Sequence, residues 1–211
     1  MDFLKRIFAG GVILFFLQGG ILFCQGKKDF YRDVLLTIMA TSKLLKISPS
    51  LLTGLIIQES FFNPYGLNIR FYLWKDYLKF KKYFRVNKKC SFLKKKIICT
   101  VLPEDKRKLI KILRFVKSRK KIDYDIGLMQ INRKKLKDYG ISPEEAISPE
   151  INILLGGLIL KKCMEKYRTV EKALICYNRG ENADISSYKS IFSIKIIAYD
   201  EYFKDLFKNF Q

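Results

Sequence analysis

Residues 48–63 constrain the fold more than any other segment, because they read as one helix with both ends marked. Ser48 is suited to cap the helix N-terminus, Pro49 suits the first helical position, and Asn63-Pro64 follows the last turn. Apolar residues recur between these ends at helical spacing, at Leu52, Leu55 and Ile56. The pattern predicts a helix over 49–61 with one face in the core.

Glu59 lies on that apolar face, because it follows Leu55 by four residues and Ile56 by three. Burial removes water from the carboxylate, and the helix C-terminus disfavours negative charge, so both effects are expected to raise the pKa of Glu59. A carboxyl group with a raised pKa can donate a proton at neutral pH. The alternative is a glutamate that reaches solvent from a helix end and has no chemical role.

Three further motifs follow Glu59-Ser60 along the chain. Residues 124–132 read Tyr-Asp-Ile-Gly-Leu-Met-Gln-Ile-Asn, Asn152 precedes Gly156 by four residues, and residues 177–180 read Tyr-Asn-Arg-Gly. In this order and at this spacing, the motifs resemble those of the lytic transglycosylases of the goose-type lysozyme superfamily. The resemblance covers about residues 45–185 and is closest to the small members that assist secretion and flagellar machines.

The resemblance implies that Glu59 is the catalytic acid and base that cleaves the β-1,4 bond between N-acetylmuramic acid and N-acetylglucosamine in peptidoglycan, leaving 1,6-anhydromuramoyl ends. It implies one structural residue, Asn152, and no metal or organic cofactor. It also implies a set of substrate-binding residues: Ser60, Gly127, Leu128, Met129, Gln130, Tyr177 and Asn178.

Residue chemistry supports this set independently. Gly127 lets a sugar approach the backbone, Leu128 and Met129 offer apolar surface, and Gln130 can donate and accept hydrogen bonds. The alternative is that Leu128 and Met129 are ordinary core residues. Likewise, the Tyr-Asn-Arg-Gly motif can be a helix C-terminus closed by a left-handed Asn or Gly.

Other functions stay open at this point. Hydrolysis would need a water molecule held by a second carboxylate, for which Asp123 and Asp125 are the nearest candidates in sequence. A non-catalytic relative would bind peptidoglycan as a scaffold for an envelope machine. Basic residues interleaved with aromatic ones over residues 70–121 also allow a nucleic-acid-binding protein, although the export signal described below argues against it, so no nucleic acid is expected.

Several chemistries are excluded by what the chain lacks. It contains no histidine, which rules out a Ser-His-Asp triad, a Cys-His pair and any histidine-based zinc site. It contains neither of the glycine-rich phosphate-binding motifs, G-x-x-x-x-G-K-[ST] and G-x-G-x-x-G.

Residues 1–26 read as an export signal. Lys5 and Arg6 precede an apolar stretch over residues 8–23, and Cys24-Gln25-Gly26 follows. Cleavage after Gly26, lipidation at Cys24 and an uncleaved anchor are all compatible with this pattern, and all three predict an exported protein of the periplasm or cell envelope. Without Cys24, four cysteines remain. The local pairings to test are Cys90–Cys99 and Cys163–Cys176, and the alternative is free buried thiols.

Residues 27–211 are enough for one domain, and an apolar fraction of 49% supports a globular chain. Helical patterns dominate, so we expect an all-α, lysozyme-like lobe. Ser142 to Glu145 has the form of a capping box, and Gly156-Gly157 indicates close helix packing. The predicted helices lie near 29–46, 49–61, 104–121, 133–139, 143–147, 149–167, 170–178 and 190–208.

A basic helical insertion, at about residues 68–122, separates the first two motifs. Residues 66–124 hold 20 Lys and Arg against four Asp and Glu, so a net charge of +16 out of the chain's +21 is concentrated there. Its second helix is predicted to bury Leu109, Ile112, Leu113 and Val116 beneath a cationic surface. That surface would suit an anionic cell-wall polymer or acidic lipid headgroups. The alternative is an ordinary solvated lysine-rich face.

Overall fold

The computed structural model describes residues 25–182 and 190–208. The predicted export signal therefore lies outside the described residues except at Gln25 and Gly26, where the first described helix starts. The helices are α1 Gln25–Leu45, α2 Pro49–Ser60, α3 Trp74–Tyr83, α4 Lys106–Lys117, α5 Arg133–Asp138, α6 Pro149–Lys166, α7 Val170–Arg179 and α8 Ile191–Lys208, with a 3-10 turn at Glu145–Ile147. The strands are β1 Leu67–Phe71, β2 Asn87–Leu93, β3 Lys96–Leu102, β4 Ile122–Ile126 and β5 Ile131–Asn132.

The predicted helices are confirmed to within a few residues at their ends, except that the one near 143–147 is a 3-10 turn. The all-α prediction is wrong, because the described chain is mixed α/β. Five antiparallel strands form a sheet in the order β2-β3-β1-β4-β5. The insertion is correspondingly not purely helical: it supplies the β2–β3 hairpin at one edge of the sheet as well as α3 and α4.

The helix α2 forms where it was predicted, but it is buried on all sides over residues 50–57 and not on one face alone. The Ser48 side chain accepts a hydrogen bond from the backbone N–H of Leu51, and Pro49 occupies the first turn. At Gly54 an added Cβ would lie 2.9 Å from the Tyr199 Cβ and 3.1 Å from the Ile196 carbonyl oxygen. This glycine therefore allows α8 to pack directly against α2.

Helix α6 lies close to two neighbours, as the paired glycines predicted. A Cβ at Gly156 would lie 2.4 Å from the Met129 Sδ, and one at Gly157 would lie 2.8 Å from Leu45 in α1. The predicted capping box is also confirmed, because the backbone N–H groups of Ser142 and Glu145 donate to each other's side chains. The Gly156 contact places α6 directly against the loop that follows β4, and the Gly157 contact places it against α1.

Both predicted disulfides are present, one joining Cys90 to Cys99 across the β2–β3 hairpin and one joining Cys163 in α6 to Cys176 in α7. In α4 the four predicted apolar residues are buried, which confirms the amphipathic pattern of that helix. Within the two described ranges, no helix combines the length and the apolar character needed to cross a membrane.

Candidate active site

A cleft with a volume of about 980 Å³ opens beside the C-terminal end of α2. One wall comes from α1 and another from the turn that follows α2. The insertion contributes a third wall, from the end of β3 onward. The lining residues are Phe30, Tyr31, Gln58, Glu59, Ser60, Phe61, Phe62, Asn63, Pro64, Tyr65, Gly66, Leu67, Asn68, Thr100, Leu102, Pro103, Glu104 and Gln130. Three of the predicted site residues, Glu59, Ser60 and Gln130, therefore share one cleft.

Glu59 lies in the last turn of α2, partly exposed at the cleft. Burial, followed by the negative charge of Asp125, raises the pKa of Glu59 to about 8. Among the described residues, nothing donates a hydrogen bond to its carboxylate. A group with this pKa is mostly protonated at neutral pH and has a free proton to give.

Asp125 is held next to Glu59 by a cluster of charges on the sheet. Arg70 in β1 forms two hydrogen bonds with Asp125, at 2.5 and 2.7 Å, and two with Asp123, at 3.0 and 3.1 Å. The register explains the cluster, because Arg70 lies opposite Asp123 and Asn132 lies opposite Asp125. The Asn132 Nδ2 completes it with a 2.8 Å bond to Asp125. Both aspartates are thus already engaged with an arginine and an amide.

Gln130 occupies a left-handed backbone conformation, with φ of 47°, at the end of the tight loop after β4. Its Nε2 donates to the carbonyl oxygens of Gly127, at 2.8 Å, and Gly66, at 3.1 Å. Its Oε1 accepts from the Asn68 Nδ2 at 2.9 Å. A non-glycine residue in this conformation costs free energy, which the three side-chain bonds help to offset.

The loop before Gln130 depends on Asn152. Its Oδ1 accepts from the Met129 N–H at 2.7 Å, and its Nδ2 donates to the carbonyl oxygens of Ile126 and Ala146. At Gly127, where φ is 83°, a Cβ would lie 2.2 Å from the Asn152 Nδ2. Gly127 is therefore required by the backbone turn and by the approach of Asn152, which matches the structural role expected for Asn152.

The other predicted residues are distributed around this loop. The side chains of Leu128 and Met129 are fully buried, so sugar contact at these positions would have to come through the backbone. The Ser60 hydroxyl donates to the Ile56 carbonyl oxygen within α2. Asn178 is exposed in the last turn of α7.

Tyr177 connects α7 to the loop, because its hydroxyl donates to the Met129 carbonyl oxygen at 2.6 Å. Burial raises the pKa of Tyr177 well above its ordinary value, and the charges of Glu59 and Asp125 add to the effect. Tyr177 therefore stays a neutral hydrogen-bond donor close to Glu59.

The sequence interpretation missed a chain of cleft residues that begins in the insertion. The Thr100 hydroxyl of β3 donates to the Asn68 Oδ1 at 2.7 Å, and Asn68 in turn donates to Gln130. The signal was present: residues 67–71 alternate apolar and polar side chains, and Leu67, Ile69 and Phe71 are buried. If that alternation is read as a strand, Asn68 and Arg70 are predicted to lie together on the face of the strand opposite to Leu67, Ile69 and Phe71.

This arrangement offers a protonated carboxyl group in a cleft that is also lined by amide groups and aromatic side chains. It is suited to general acid–base chemistry on an extended polar polymer. Over residues 25–182 and 190–208, no cluster of three or more side chains has the composition of a metal site.

Comparison with known proteins agrees with this chemistry. Residues 37–196 match the family model described as the Transglycosylase SLT domain. No curated protein and no solved structure matches the chain. The matched segment covers more than half of the chain and includes α2, the whole sheet with the loop between β4 and β5, α6 and α7. Glu59, Gln130 and Tyr177 all lie within it. The chain therefore belongs to the transglycosylase SLT domain family, whose fold is lysozyme-like and whose members are lytic transglycosylases that act on peptidoglycan outside the cytoplasm.

Proposed function

We propose that Glu59 alone serves as acid and base, cleaving the β-1,4 bond between N-acetylmuramic acid and N-acetylglucosamine and leaving a 1,6-anhydromuramoyl end. The observation that carries the proposal is the raised pKa of Glu59, about 8, in a carboxyl group that faces the cleft. At neutral pH this group holds the proton that the leaving oxygen needs.

In the first step, Glu59 protonates the glycosidic oxygen, and the bond from that oxygen to the anomeric carbon breaks. The acetamido oxygen of the muramic acid stabilises the positive charge on the anomeric carbon, as in substrate-assisted glycosidases. The Glu59 carboxylate then accepts the proton of the C6 hydroxyl, and O6 bonds to the anomeric carbon. No water is consumed, and Glu59 ends protonated, as it began.

The neighbouring aspartates support this route over hydrolysis. A hydrolase needs a second carboxylate that is free to take a proton from water. Asp125 and Asp123 both accept hydrogen bonds from Arg70 and from Asn132, which compete for the lone pairs that a base would use. In this proposal, Asp125 raises the pKa of Glu59 by its charge and does not act as a base.

The substrate would lie along the cleft, with Gln130 and the backbone of residues 127–130 on one side and the turn after α2 on the other. Tyr177 would hold the 127–130 loop through its bond to the Met129 carbonyl oxygen. Asn178 and Ser60 remain proposed substrate contacts. Service to a secretion or flagellar machine also remains a proposal, based on the resemblance of the motifs.

The test is to incubate purified protein with peptidoglycan and weigh the released muropeptides by mass spectrometry. We expect products of 1,6-anhydro mass, and we expect Glu59→Gln to lower their release by about 10²- to 10⁴-fold, the usual contribution of a general acid. Glu165→Gln is the matched control, because it makes the same change at an exposed position of α6.

Two outcomes would contradict the proposal. Products heavier by one water would identify a hydrolase and return attention to Asp123 and Asp125. If neither the unmodified protein nor the Glu59→Gln variant released a product, although both still bound peptidoglycan, the result would favour a non-catalytic scaffold.

A further inference from the structure

The end of the sheet away from Glu59 carries exposed apolar side chains. Strand register brings them together, because Phe71 of β1 lies opposite Ile97 of β3, which in turn lies opposite Phe92 of β2. The exposed residues at and beyond these pairs are Tyr72, Leu73, Trp74, Phe92 and Leu93, which we call the aromatic tip.

Two rings form the centre of the aromatic tip. Trp74 is 58% exposed and Phe92 is 60% exposed, and their ring centroids are 6.1 Å apart. Both rings pack on the buried Tyr77, at 5.4 and 5.6 Å, which fixes their position. Large apolar side chains held rigidly in solvent are typical of a surface that another phase or molecule covers.

Lysines surround the aromatic tip. Lys94 and Lys95 form the turn between β2 and β3, Lys75 follows Trp74, and the Lys121 carbonyl oxygen accepts a hydrogen bond from the Tyr72 N–H. The exposed cations at this end of the sheet are Lys75, Lys94, Lys95, Lys120 and Lys121. None of these five forms an ion pair with another residue in the described ranges.

Asp76, which follows Lys75 in the chain, offers little compensation for these lysines. Asp76 is 8% exposed, and its carboxylate lies 3.7 Å from the Arg119 Nε. The surface that surrounds the aromatic tip is therefore positively charged and has little negative charge of its own to balance it.

We propose that the aromatic tip docks the protein on an anionic lipid surface. Tryptophan and other aromatic side chains are favoured at the boundary between headgroups and acyl chains, and lysines near that boundary are attracted to anionic headgroups. A soluble anionic polymer would neutralise the lysines but would leave Leu73, Phe92 and Leu93 in water. A bilayer accommodates both kinds of side chain, so it fits the whole surface.

Docking in this way leaves the cleft open. Strand β1 begins at Leu67, which lines the cleft, and ends at Phe71, beside the aromatic tip. Five residues of strand span roughly 13 Å between these positions, at about 3.3 Å per residue. The cleft would thus lie a short distance from the headgroups. This inference concerns binding alone and does not depend on the proposed reaction.

Trp74 provides the test, because it is the only tryptophan in the chain. The full chain is mixed with vesicles of phosphatidylglycerol and phosphatidylcholine, or of phosphatidylcholine alone, and the emission of Trp74 is recorded. On the anionic vesicles we expect a blue shift and quenching by lipids brominated near the headgroup end of their acyl chains. The response should weaken roughly tenfold or more when the salt is raised to about 0.5 M.

Matched variants test whether binding depends on the lysines beside the aromatic tip or only on the overall positive charge of the protein. Lys94→Gln with Lys95→Gln should weaken vesicle binding by roughly 10- to 30-fold, because each lysine near an anionic surface contributes about a factor of five. Lys134→Gln with Lys137→Gln makes the same change at two exposed positions of α5 and should have little effect. Phe92→Ser tests the apolar part, and circular dichroism checks that each variant is folded.

Three results would overturn the inference. Sedimentation with anionic vesicles without any change in Trp74 emission would mean that another segment makes the contact. Binding to soluble polyphosphate as tight as binding to vesicles, with no lipid quenching, would identify a soluble anion as the partner. A dimer that shields Trp74 in the absence of lipid, and that Phe92→Ser dissociates, would assign the aromatic tip to a second copy of the chain.

Discussion

At the scale of single residues, Glu59 owes its raised pKa first to burial at the end of α2 and then to the negative charge of Asp125. Helical spacing from Leu55 and Ile56 was enough to predict the apolar face and the direction of the pKa shift. The contribution of Asp125 could not be predicted, because it depends on a sheet that brings residue 125 next to residue 59. The partners of Asp125, Arg70 and Asn132, are likewise set by strand register.

The raised pKa of Glu59 leads to a prediction about pH. Glu59 must be protonated to donate its proton, so kcat/KM should be constant at neutral pH and fall as the pH rises through about 8. Asp125→Asn removes a negative charge that raises the pKa of Glu59, and it leaves Arg70 less neutralised. Both changes favour the Glu59 carboxylate, so the alkaline fall should move to lower pH. The measurement is the pH dependence of peptidoglycan turnover.

Asp123→Asn is the matched control for this experiment. Asp123 also pairs with Arg70, but its own charge is not among the causes of the raised Glu59 pKa, so the alkaline fall should move by clearly less than it does in Asp125→Asn. A profile that Asp125→Asn leaves unchanged, or moves to higher pH, would show that Glu59 is not the group that limits activity.

At the scale of elements, helices were predicted well and strands were not. The helices carry long periodic patterns and end signals such as Ser48-Pro49, which are local and readable. The strands are short, and the apolar run of β3 can equally be read as part of a buried helix. Residues 67–71 and 122–126 do alternate, but the lysine-rich helices between them dominated the interpretation of the insertion as helical. Pairing between β1 and β4, more than 50 residues apart, is set by tertiary packing.

The chain of hydrogen bonds from β3 to Gln130 predicts an effect of the insertion on the cleft. Asn68→Ala removes the partner of the Gln130 Oε1 while leaving the two Nε2 bonds of Gln130 in place. The loop should stay folded, with the unfolding free energy lowered by only about 1 kcal/mol. Looser placement of Gln130 should lower kcat/KM about tenfold. Urea unfolding and muropeptide release measure the two quantities.

Thr100→Val serves as the control, because it removes only the outer bond of the chain and keeps the shape of the side chain. Its effect on kcat/KM should be clearly smaller than that of Asn68→Ala. Equal losses in the two variants would mean that the β3 wall matters for the cleft by some route other than the position of Gln130.

At the scale of the whole molecule, the two disulfides join different parts of the structure. Cys90–Cys99 closes the hairpin of the insertion, at the outer edge of the sheet. Cys163–Cys176 joins α6, which holds the site loop through Asn152, to α7, which holds it through Tyr177. Only the second disulfide therefore connects the two helices that position the 127–130 loop.

This difference predicts that the two disulfides affect activity unequally. Replacing either pair by alanines should cost about 2–3 kcal/mol of unfolding free energy, because the closed loops, with sequence separations of 9 and 13, are similar in length. The Cys163→Ala/Cys176→Ala variant should also lose several-fold in kcat/KM at a temperature where it is fully folded, because Tyr177 follows Cys176 directly. The Cys90→Ala/Cys99→Ala variant should keep most of its activity under the same conditions. If both variants lost the same activity at matched stability, the contact between α6 and α7 would not control the site, and Tyr177 would have to be positioned by α7 alone.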